Sequence, residues 1–389
     1  MNELTINTVK ILRELVGFDT TTRGSNLKLI EFVEDYLAGF GVRAVRSSSQ
    51  PDRCNLFATI GPEDQAGVML AGHTDVVPVT GQHWQSDPFS LTLRDDRYYG
   101  RGTADMKGFI AAVLAAVPHF QAQNLKLPVH LAFSYDEEVG CVGVRDLVSD
   151  LAAGPIRPRW GIIGEPTSMQ PVSAHKGKVA FRVHVTGFAA HSRNPKAGVS
   201  AITAAVSLID YIQNLAEEIL QTGQVDSAYE YPGSSLHVGT IHGGTALNIV
   251  PAQCHFDFEI RYLPEVDVRP IVARIQAYAS NVVESAMRAR QPDCSVHFET
   301  LSDYPGMTSD AHAEPVATVC HLLGADATGK VSFGTEGGLY QRDAGIPCVV
   351  CGPGSMAQGH RPDEYVTADQ LDVCGLFLRK LARHLAFDF

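Results

Sequence analysis

Apolar residues in the first part of the chain recur with two different spacings. Residues 6–16 and 26–40 repeat at helical intervals, and Gly41 follows the second stretch as a helix stop signal. An Ala-rich apolar segment, 108–117, predicts a further helix that Pro118 closes. Short apolar runs of strand length lie around it, at residues 56–60, 68–71, 129–133 and 162–163. Strands that alternate with helices predict an α/β fold, a mostly parallel sheet with helices on both faces.

From about residue 178 the pattern changes to one of period two. Residues 179–186 alternate between apolar and polar side chains, as expected for an antiparallel strand with one exposed face. Helical patterns cover about 199–219 and 268–288. Further strand patterns are found at 235–241, 248–262 and 295–300. The resulting order, βαββαβ, describes an α+β unit of the ferredoxin-like kind.

After this segment the chain returns to short buried strands, near residues 331–333 and 347–350. A chain of 389 residues exceeds the size at which a single core stops growing, so two domains are expected. The simplest architecture is one α/β domain formed by residues 1–177 and 302–389. The α+β domain, 178–301, is then inserted into it.

Composition and charge narrow the classes of partner. The formal net charge of -12 makes a nucleic acid or an anionic membrane an unfavourable partner. No apolar run approaches the length of a membrane span and the N-terminal residues lack a signal-peptide pattern, so we expect a soluble, cytoplasmic protein. The eight cysteines are scattered among apolar residues, which favours reduced thiols. We interpret Cys348 and Cys351 as strand residues, since no second pair accompanies them.

Side chains that can bind metal ions or transfer protons lie at or near the ends of predicted strands and in Gly-rich turns. They are His73, Asp75, Asp105, Glu137, Glu138, Glu165 and His360. In open α/β sheets ligands bind at the carboxyl ends of the strands, so we expect these side chains to meet at one edge. The turn before Asp105 contains Gly100 and Gly102, but it lacks the third glycine of a dinucleotide fingerprint.

These candidate ligands offer nitrogen and oxygen without thiolate, which suits Zn²⁺ or Co²⁺ in a hydrolytic centre. Two ions about 3.5–4 Å apart need one bridging carboxylate and further ligands on each side, which two histidines and three carboxylates supply. Neighbouring Glu137 and Glu138 diverge in extended chain, so one can bind metal while the other accepts a proton. Asp75, two residues beyond His73, is placed to accept the other imidazole N–H.

The chain resembles the M20 family of metallopeptidases and deacylases. The motifs that carry the resemblance extend across almost the whole chain. They are Gly72-His73-Thr74-Asp75-Val76-Val77-Pro78, Gly100-Arg101-Gly102-Thr103-Ala104-Asp105-Met106-Lys107-Gly108, Asp136-Glu137-Glu138, Gly164-Glu165-Pro166-Thr167 and Gly359-His360-Arg361-Pro362-Asp363-Glu364.

The resemblance implies a centre with two divalent ions. The expected metal is Zn²⁺, and Co²⁺ is the alternative. His73 and Glu165 would hold one ion and Glu138 and His360 the other, with Asp105 bridging the two.

The catalytic roles also come from this resemblance. Glu137 would be the general base, which later protonates the leaving amine, and Asp75 would support the imidazole of His73. Family members usually have a cis peptide bond after the bridging aspartate, here between Asp105 and Met106.

In the family the inserted domain is a lid and a dimerisation module. His191 would stabilise the oxyanion in the active site of a neighbouring subunit, and Asn248 and Arg261 would bind substrate. Arginine suits an α-carboxylate because its fork can bond both oxygens. An alternative for Arg261 is an ion pair with Glu259.

The implied protein is a homodimeric amidohydrolase that takes a small N-acylated amino acid. The expected reaction is the deacetylation of N-acetyl-L-ornithine in arginine biosynthesis. The alternative within the hydrolases is another deacylase or a peptidase of the family. Examples are the succinyl-diaminopimelate desuccinylase, an aminoacylase and a dipeptidase. A binding or scaffold protein without turnover is the alternative from a different class, although such a protein should have lost a ligand or the base.

Overall fold

The computed structural model of the protein describes residues 3–387. Contacts between Cα atoms divide the chain into two compact units. The first unit runs to His175 and resumes at Met307, and the second unit is Lys176–Gly306. The second division lies beyond the predicted boundary at residue 301 because the last strand of the inserted unit continues to Tyr304.

The helices are α1 (Glu3–Gly17), α2 (Leu27–Ala38), α3 (Lys107–Gln121), α4 (Val144–Ala153), α5 (Ala201–Thr222), α6 (Arg269–Tyr278), α7 (Ser285–Arg288), α8 (Glu314–Leu323), α9 (Gly337–Ala344) and α10 (Ala368–Phe387). The strands are β1 (Ala44–Ser47), β2 (Asn55–Ile60), β3 (Val68–His73), β4 (Thr92–Arg94), β5 (Arg97–Tyr99), β6 (Val129–Ser134), β7 (Trp160–Pro166), β8 (Val172–His175), β9 (Gly177–Thr186), β10 (Ala190–His191), β11 (Ser235–Gly243), β12 (Ile249–Val250), β13 (Gln253–Tyr262), β14 (Ser295–Tyr304), β15 (Met307–Thr308), β16 (Gly329–Val331), β17 (Cys348–Gly352) and β18 (Tyr365–Thr367). Within residues 3–387, no helix has the length and apolar character that a membrane crossing requires.

The main sheet of the first unit has the order β1-β2-β6-β3-β7-β17-β8-β15, with β16 beside β8. Its centre, β6-β3-β7-β17, is parallel. Strands β2 and β8 join this centre antiparallel, and β1 pairs antiparallel with β2. Trp160 and Ile162 belong to the same apolar cluster as Phe109 of α3. Ile163, the next residue of β7, would contact a Cβ placed at Gly337 of α9. Because successive strand residues point to opposite faces, helices cover both faces of the sheet, as predicted.

Helix α3 does not end at Pro118, so the predicted stop is wrong. The helix continues to Gln121 with the proline inside it. Proline has no N–H, so the carbonyl four residues earlier, that of Leu114, loses its helical donor. The hydroxyl of Tyr36 on α2 donates to that carbonyl at 3.1 Å, so the carbonyl has a donor although the proline supplies none.

The second unit has the predicted βαββαβ order. Its sheet runs β11-β13-β9-β14, and all of its pairs are antiparallel. The second helical pattern is continuous but contains a π-helical turn, Ala279–Glu284, between α6 and α7. The single strand predicted for 248–262 is wrong, because β12 ends at Val250 before Pro251 and β13 begins at Gln253. Apolar residues of β9, β13, β14, α5 and α6 form a core of their own.

Gly164 of β7 sets how closely α3 can approach the sheet. A Cβ at Gly164 would lie 2.0 Å from Cδ1 of Phe109, so Gly164→Ala must displace the buried ring of Phe109. We expect a loss of stability of about 1–3 kcal/mol or more, read from the midpoint of denaturant unfolding. Gly17→Ala is the control, because a Cβ there meets nothing within 4 Å. Equal midpoints for the two variants would contradict this packing argument.

Candidate metal centre

The predicted ligands come together at the carboxyl edge of the parallel strands. His73 is the last residue of β3, and Glu165 lies near the end of β7. Glu137 and Glu138 follow the end of β6. Atoms of His73, Glu137 and Glu165 lie within 4.8 Å of one another, and so do atoms of His73, Asp105 and Glu138. Sharing His73, the two groups form one continuous cluster.

The imidazole of His73 is oriented by its own loop. Nδ1 lies 2.9 Å from the backbone oxygen of Asp75, which can only accept a hydrogen bond. Nδ1 therefore carries a proton, and Nε2 points into the cluster, where the neutral ring would offer its lone pair to a cation. Nε2 lies 3.1 Å from Oδ1 of Asp105 and 3.8 Å from Oε1 of Glu165. This is the tautomer that a metal-binding histidine needs.

Asp105 lies between the two histidines. Its Oδ1 faces Nε2 of His73 at 3.1 Å, and its Oδ2 faces Nε2 of His360 at 3.2 Å. Nε2 of His360 is also 2.9 Å from Oε2 of Glu138. The peptide bond between Asp105 and Met106 is cis, as expected from the resemblance. A carboxylate whose two oxygens face separate imidazoles has the arrangement of a bridging ligand.

Burial makes the negative charge of this cluster costly. Burial raises the pKa of Glu137 and Glu165 well above the ordinary value and that of Glu138 to about 7, and nearby carboxylates add to each shift. Several acids held this close in a dry site cannot all ionise unless positive charge is supplied. The cluster therefore has the charge and the ligand types that divalent cations require.

The histidines supply part of that positive charge. The pKa of His360 rises to about 10 because its imidazole bonds Asp105 and Glu138. Burial opposes ionisation of Asp105, but hydrogen bonds from His360 and His73 hold the pKa of that carboxyl well below its usual range. Two imidazolium groups cannot balance Asp105 and three glutamates together, so a cation fits the site.

The carboxylate of Asp75 has a different main contact from the predicted one. Its Oδ1 is 3.5 Å from Nδ1 of His73, beyond a good hydrogen bond. The same carboxylate accepts the backbone N–H groups of Glu137 at 3.1 Å and Glu138 at 3.2 Å. Asp75 therefore positions His73 through its carbonyl and the two glutamates through its side chain.

Glu364 supports the site, and the sequence analysis assigned it no role although it ends a quoted motif. Its carboxylate is fully buried and accepts the N–H groups of Gly102, Ala104 and Asp105 at 3.1, 2.9 and 3.0 Å. It also pairs with the buried guanidinium of Arg101 at 2.6 Å. These bonds fix the turn that presents Asp105 to both histidines.

Glu336 is a second buried acid that the sequence analysis did not single out. Oε1 of Glu336 accepts the hydroxyl of Ser134 at 2.5 Å, and burial raises the pKa of this carboxyl to about 7. Ser134 is the last residue of β6, the strand that leads to Glu137. The sequence does contain one indication of this residue: Glu336 is an acid flanked by glycines in Gly334-Thr335-Glu336-Gly337-Gly338.

His191, Asn248 and Arg261 belong to the second unit and are described within it. His191 is exposed on β10, where its Nδ1 accepts the N–H of Arg193 at 3.1 Å. The backbone oxygen of Asn248 accepts the N–H of Ser192 at 3.0 Å. Arg261 bonds Oε1 of Glu259 at 2.8 Å, so the alternative ion pair is present. Its substrate-binding role stays a prediction.

The model of peptidase family M20/M25/M40 matches residues 69–384. The chain belongs to this family. It is 36% identical over 360 residues to the acetylornithine deacetylase of Pasteurella multocida strain Pm70, covering 92% of this chain and 91% of that protein. Membership of the family and this likeness make the protein a metal-dependent hydrolase that acts on amides.

Solved structures share the fold. An M20 family metallo-carboxypeptidase from Sulfolobus solfataricus aligns with a TM-score of 0.78 at 17% identity, covering 99% of this chain and 100% of that one. The YXEP protein of Bacillus subtilis, described as a dinuclear metal-binding peptidase of the M20 family, aligns with a TM-score of 0.67 at 15% identity, covering 98% of both chains. The α/β sheet with a separate second unit is thus the fold of this family.

Removing the carboxylate of Glu364 should disturb both stability and the centre. Glu364→Gln leaves the buried charge of Arg101 without its partner, which typically costs about 3–5 kcal/mol, and it loosens the turn at Asp105. We expect a lower unfolding midpoint and weaker binding of Zn²⁺ in equilibrium dialysis. Asp363→Asn is the matched control, since that side chain bonds the exposed N–H of Gln85. A Glu364→Gln protein with unchanged metal affinity would refute the positioning role.

Proposed function

We propose that the protein hydrolyses N-acetyl-L-ornithine to L-ornithine and acetate, a step of arginine biosynthesis. The observation that carries the reaction class is the carboxylate of Asp105 between the imidazoles of His73 and His360, with Glu137 beside them. The substrate is supported by the 36% identity to a protein named acetylornithine deacetylase, over nine-tenths of both chains.

We propose that two divalent ions, Zn²⁺ or Co²⁺, are held at this site, as the description of the Bacillus subtilis protein suggests. His73 and Glu165 would hold one ion and Glu138 and His360 the other, with Asp105 shared. The nitrogen and oxygen donors suit these metals. When bound, such ions polarise the amide carbonyl and lower the pKa of water.

Glu137 would be the general base. Asp75 holds its backbone, and Oε1 of Glu137 lies 3.3 Å from Sγ of Cys141, which keeps the carboxylate in place. Burial raises its pKa, and cations beside it would lower that pKa again, toward the range in which a carboxylate exchanges protons near neutral pH. Glu137 then takes a proton from the attacking water and delivers it to the departing nitrogen.

The second unit would complete the site. We propose that it is a lid and a dimerisation module, that His191 of a second copy donates to the oxyanion, and that Asn248 and Arg261 bind the substrate. The exposure of His191 on β10 supports a role toward another molecule. The guanidinium of Arg261 is already neutralised in part by Glu259, so an α-carboxylate would have to share it.

We place the reaction in the cytoplasm. The eight cysteines are all free thiols and seven of them are buried, which fits a reducing compartment.

Replacement of Glu137 by an amide should separate chemistry from metal binding. Glu137→Gln keeps the shape of the side chain but cannot accept the proton of water, so we expect kcat to fall by roughly 10²-fold or more. Metal content, measured by elemental analysis, should stay near that of the natural protein. Glu63→Gln, in an exposed turn, is the control and should leave both quantities unchanged. Normal turnover by Glu137→Gln would exclude this residue as the base.

A substrate panel tests the choice of substrate. Protein loaded with Zn²⁺ or Co²⁺ is assayed with N-acetyl-L-ornithine, N-succinyl-diaminopimelate, N-acetyl-methionine and simple dipeptides. We expect the highest kcat/KM for N-acetyl-L-ornithine. A clear preference for another compound would replace the substrate while keeping the reaction class. Absence of turnover with every compound, together with low metal content, would favour a binding protein that has lost activity.

A further inference from the structure

Four histidines form a row across the sheet of the second unit. Direct partners in the strand register are His242 and His255, His255 and His184, and His184 and His297. The ring centres of these pairs lie 5.2, 6.1 and 6.2 Å apart. Each strand of the sheet thus contributes one imidazole to this histidine row.

The histidine row lies on the face away from α5 and α6. The chain neighbours of three of its members pack in or against the apolar core of the unit: Val183 and Val185, Cys254 and Phe256, Val296 and Phe298. Alternation along a strand therefore turns those three histidines to the opposite face. On β11 a register shift between Val238 and Thr240 reverses the alternation and brings His242 to the same side. Without that bulge the row would lack its fourth member.

The spacing of the row suits a shared metal ion. A Zn²⁺–nitrogen bond of about 2 Å puts each ring centre roughly 3 Å from the ion, so two rings on one tetrahedral ion have centres roughly 5 Å apart. The rings of His242 and His255, at 5.2 Å, already match this separation. The two other pairs need ring rotations that close about 1 Å, which half-exposed or exposed side chains can make.

Oxygen donors and space accompany the imidazoles. Oε2 of Glu299 lies 2.9 Å from Nε2 of His184, next to His297. His242 and His255 line a hollow to which Thr245 and Gln253 also contribute, so a metal ion there could keep water ligands. The nearby guanidinium of Arg182 is paired with Asp257 at 2.8 Å, which limits its repulsion of a cation.

We propose that the histidine row binds divalent transition-metal ions such as Zn²⁺, Ni²⁺ or Cu²⁺. One ion lies between His242 and His255, and a second lies between His184 and His297 with Glu299 as an oxygen ligand. Such binding joins neighbouring strands through side chains and stabilises the second unit. The inference does not depend on the proposed substrate or on the centre at Asp105.

Retention of the untagged full chain on a Ni²⁺-nitrilotriacetate column tests the proposal, because immobilised Ni²⁺ reaches only accessible imidazoles. The natural protein should be retained and eluted by imidazole. The double variant His184→Asn/His255→Asn, which breaks every pair of the row, should pass through. His237→Asn is the matched control, since it removes an exposed imidazole from β11 without touching the row. The proposal would be overturned if the natural protein and the double variant eluted at the same imidazole concentration. It would also be overturned if His237→Asn lost as much retention as the double variant.

Calorimetric titration gives a second measurement. With the centre at Asp105 first filled with Zn²⁺, Ni²⁺ should bind the natural protein at one or two further sites. The double variant should bind Ni²⁺ at least roughly tenfold more weakly. Loss of a residue that merely orients a metal ligand already lowers metal affinity by about tenfold, and the variant loses the ligands themselves. Circular dichroism and the midpoint of denaturant unfolding control for folding. A folded double variant with unchanged Ni²⁺ affinity would contradict the site.

Discussion

The concentration of negative charge at one edge of the parallel sheet is the constraint on which the rest of the structure depends. Asp105 and three glutamates share a buried region only a few ångströms across, and two imidazoles are the positive groups among them. A fold can keep such a cluster only if other interactions hold the acids in place and if cations are available to it. The surrounding polar contacts are best understood as that support.

The strand ends explain why sequence reasoning found most of the site. His73 and Glu165 terminate neighbouring parallel strands, and Glu138 follows a third, so the sheet itself brings them together. Residue type then indicated the ligand chemistry. The role of Glu364 was not predicted because its partners are backbone N–H groups of a turn far away in the chain. No local sequence pattern indicates such a hydrogen bond. Glu336 escaped for a similar reason, its contact with Ser134 being tertiary.

Local patterns were less informative where tertiary contacts overrule them. Pro118 removes the helical donor of the Leu114 carbonyl, and the hydroxyl of Tyr36 supplies another from a different helix, a contact that the local sequence does not show. The strand patterns of the second unit predicted the four strands of its main sheet but neither the break at Pro251 nor their register. The bulge between Val238 and Thr240, on which the position of His242 depends, coincides with Gly239 and with a break in the alternation that the predicted strand did not take into account.

Asp75 contacts three of the residues in the cluster through two different groups. Its carbonyl selects the proton position on His73, while its carboxylate holds the main chain of Glu137 and Glu138. The imidazole of His73 and the main chain of both glutamates are therefore anchored to one residue. A substitution at Asp75 therefore disturbs an imidazole and two acids at once, so this edge of the sheet responds to a change there as a single unit.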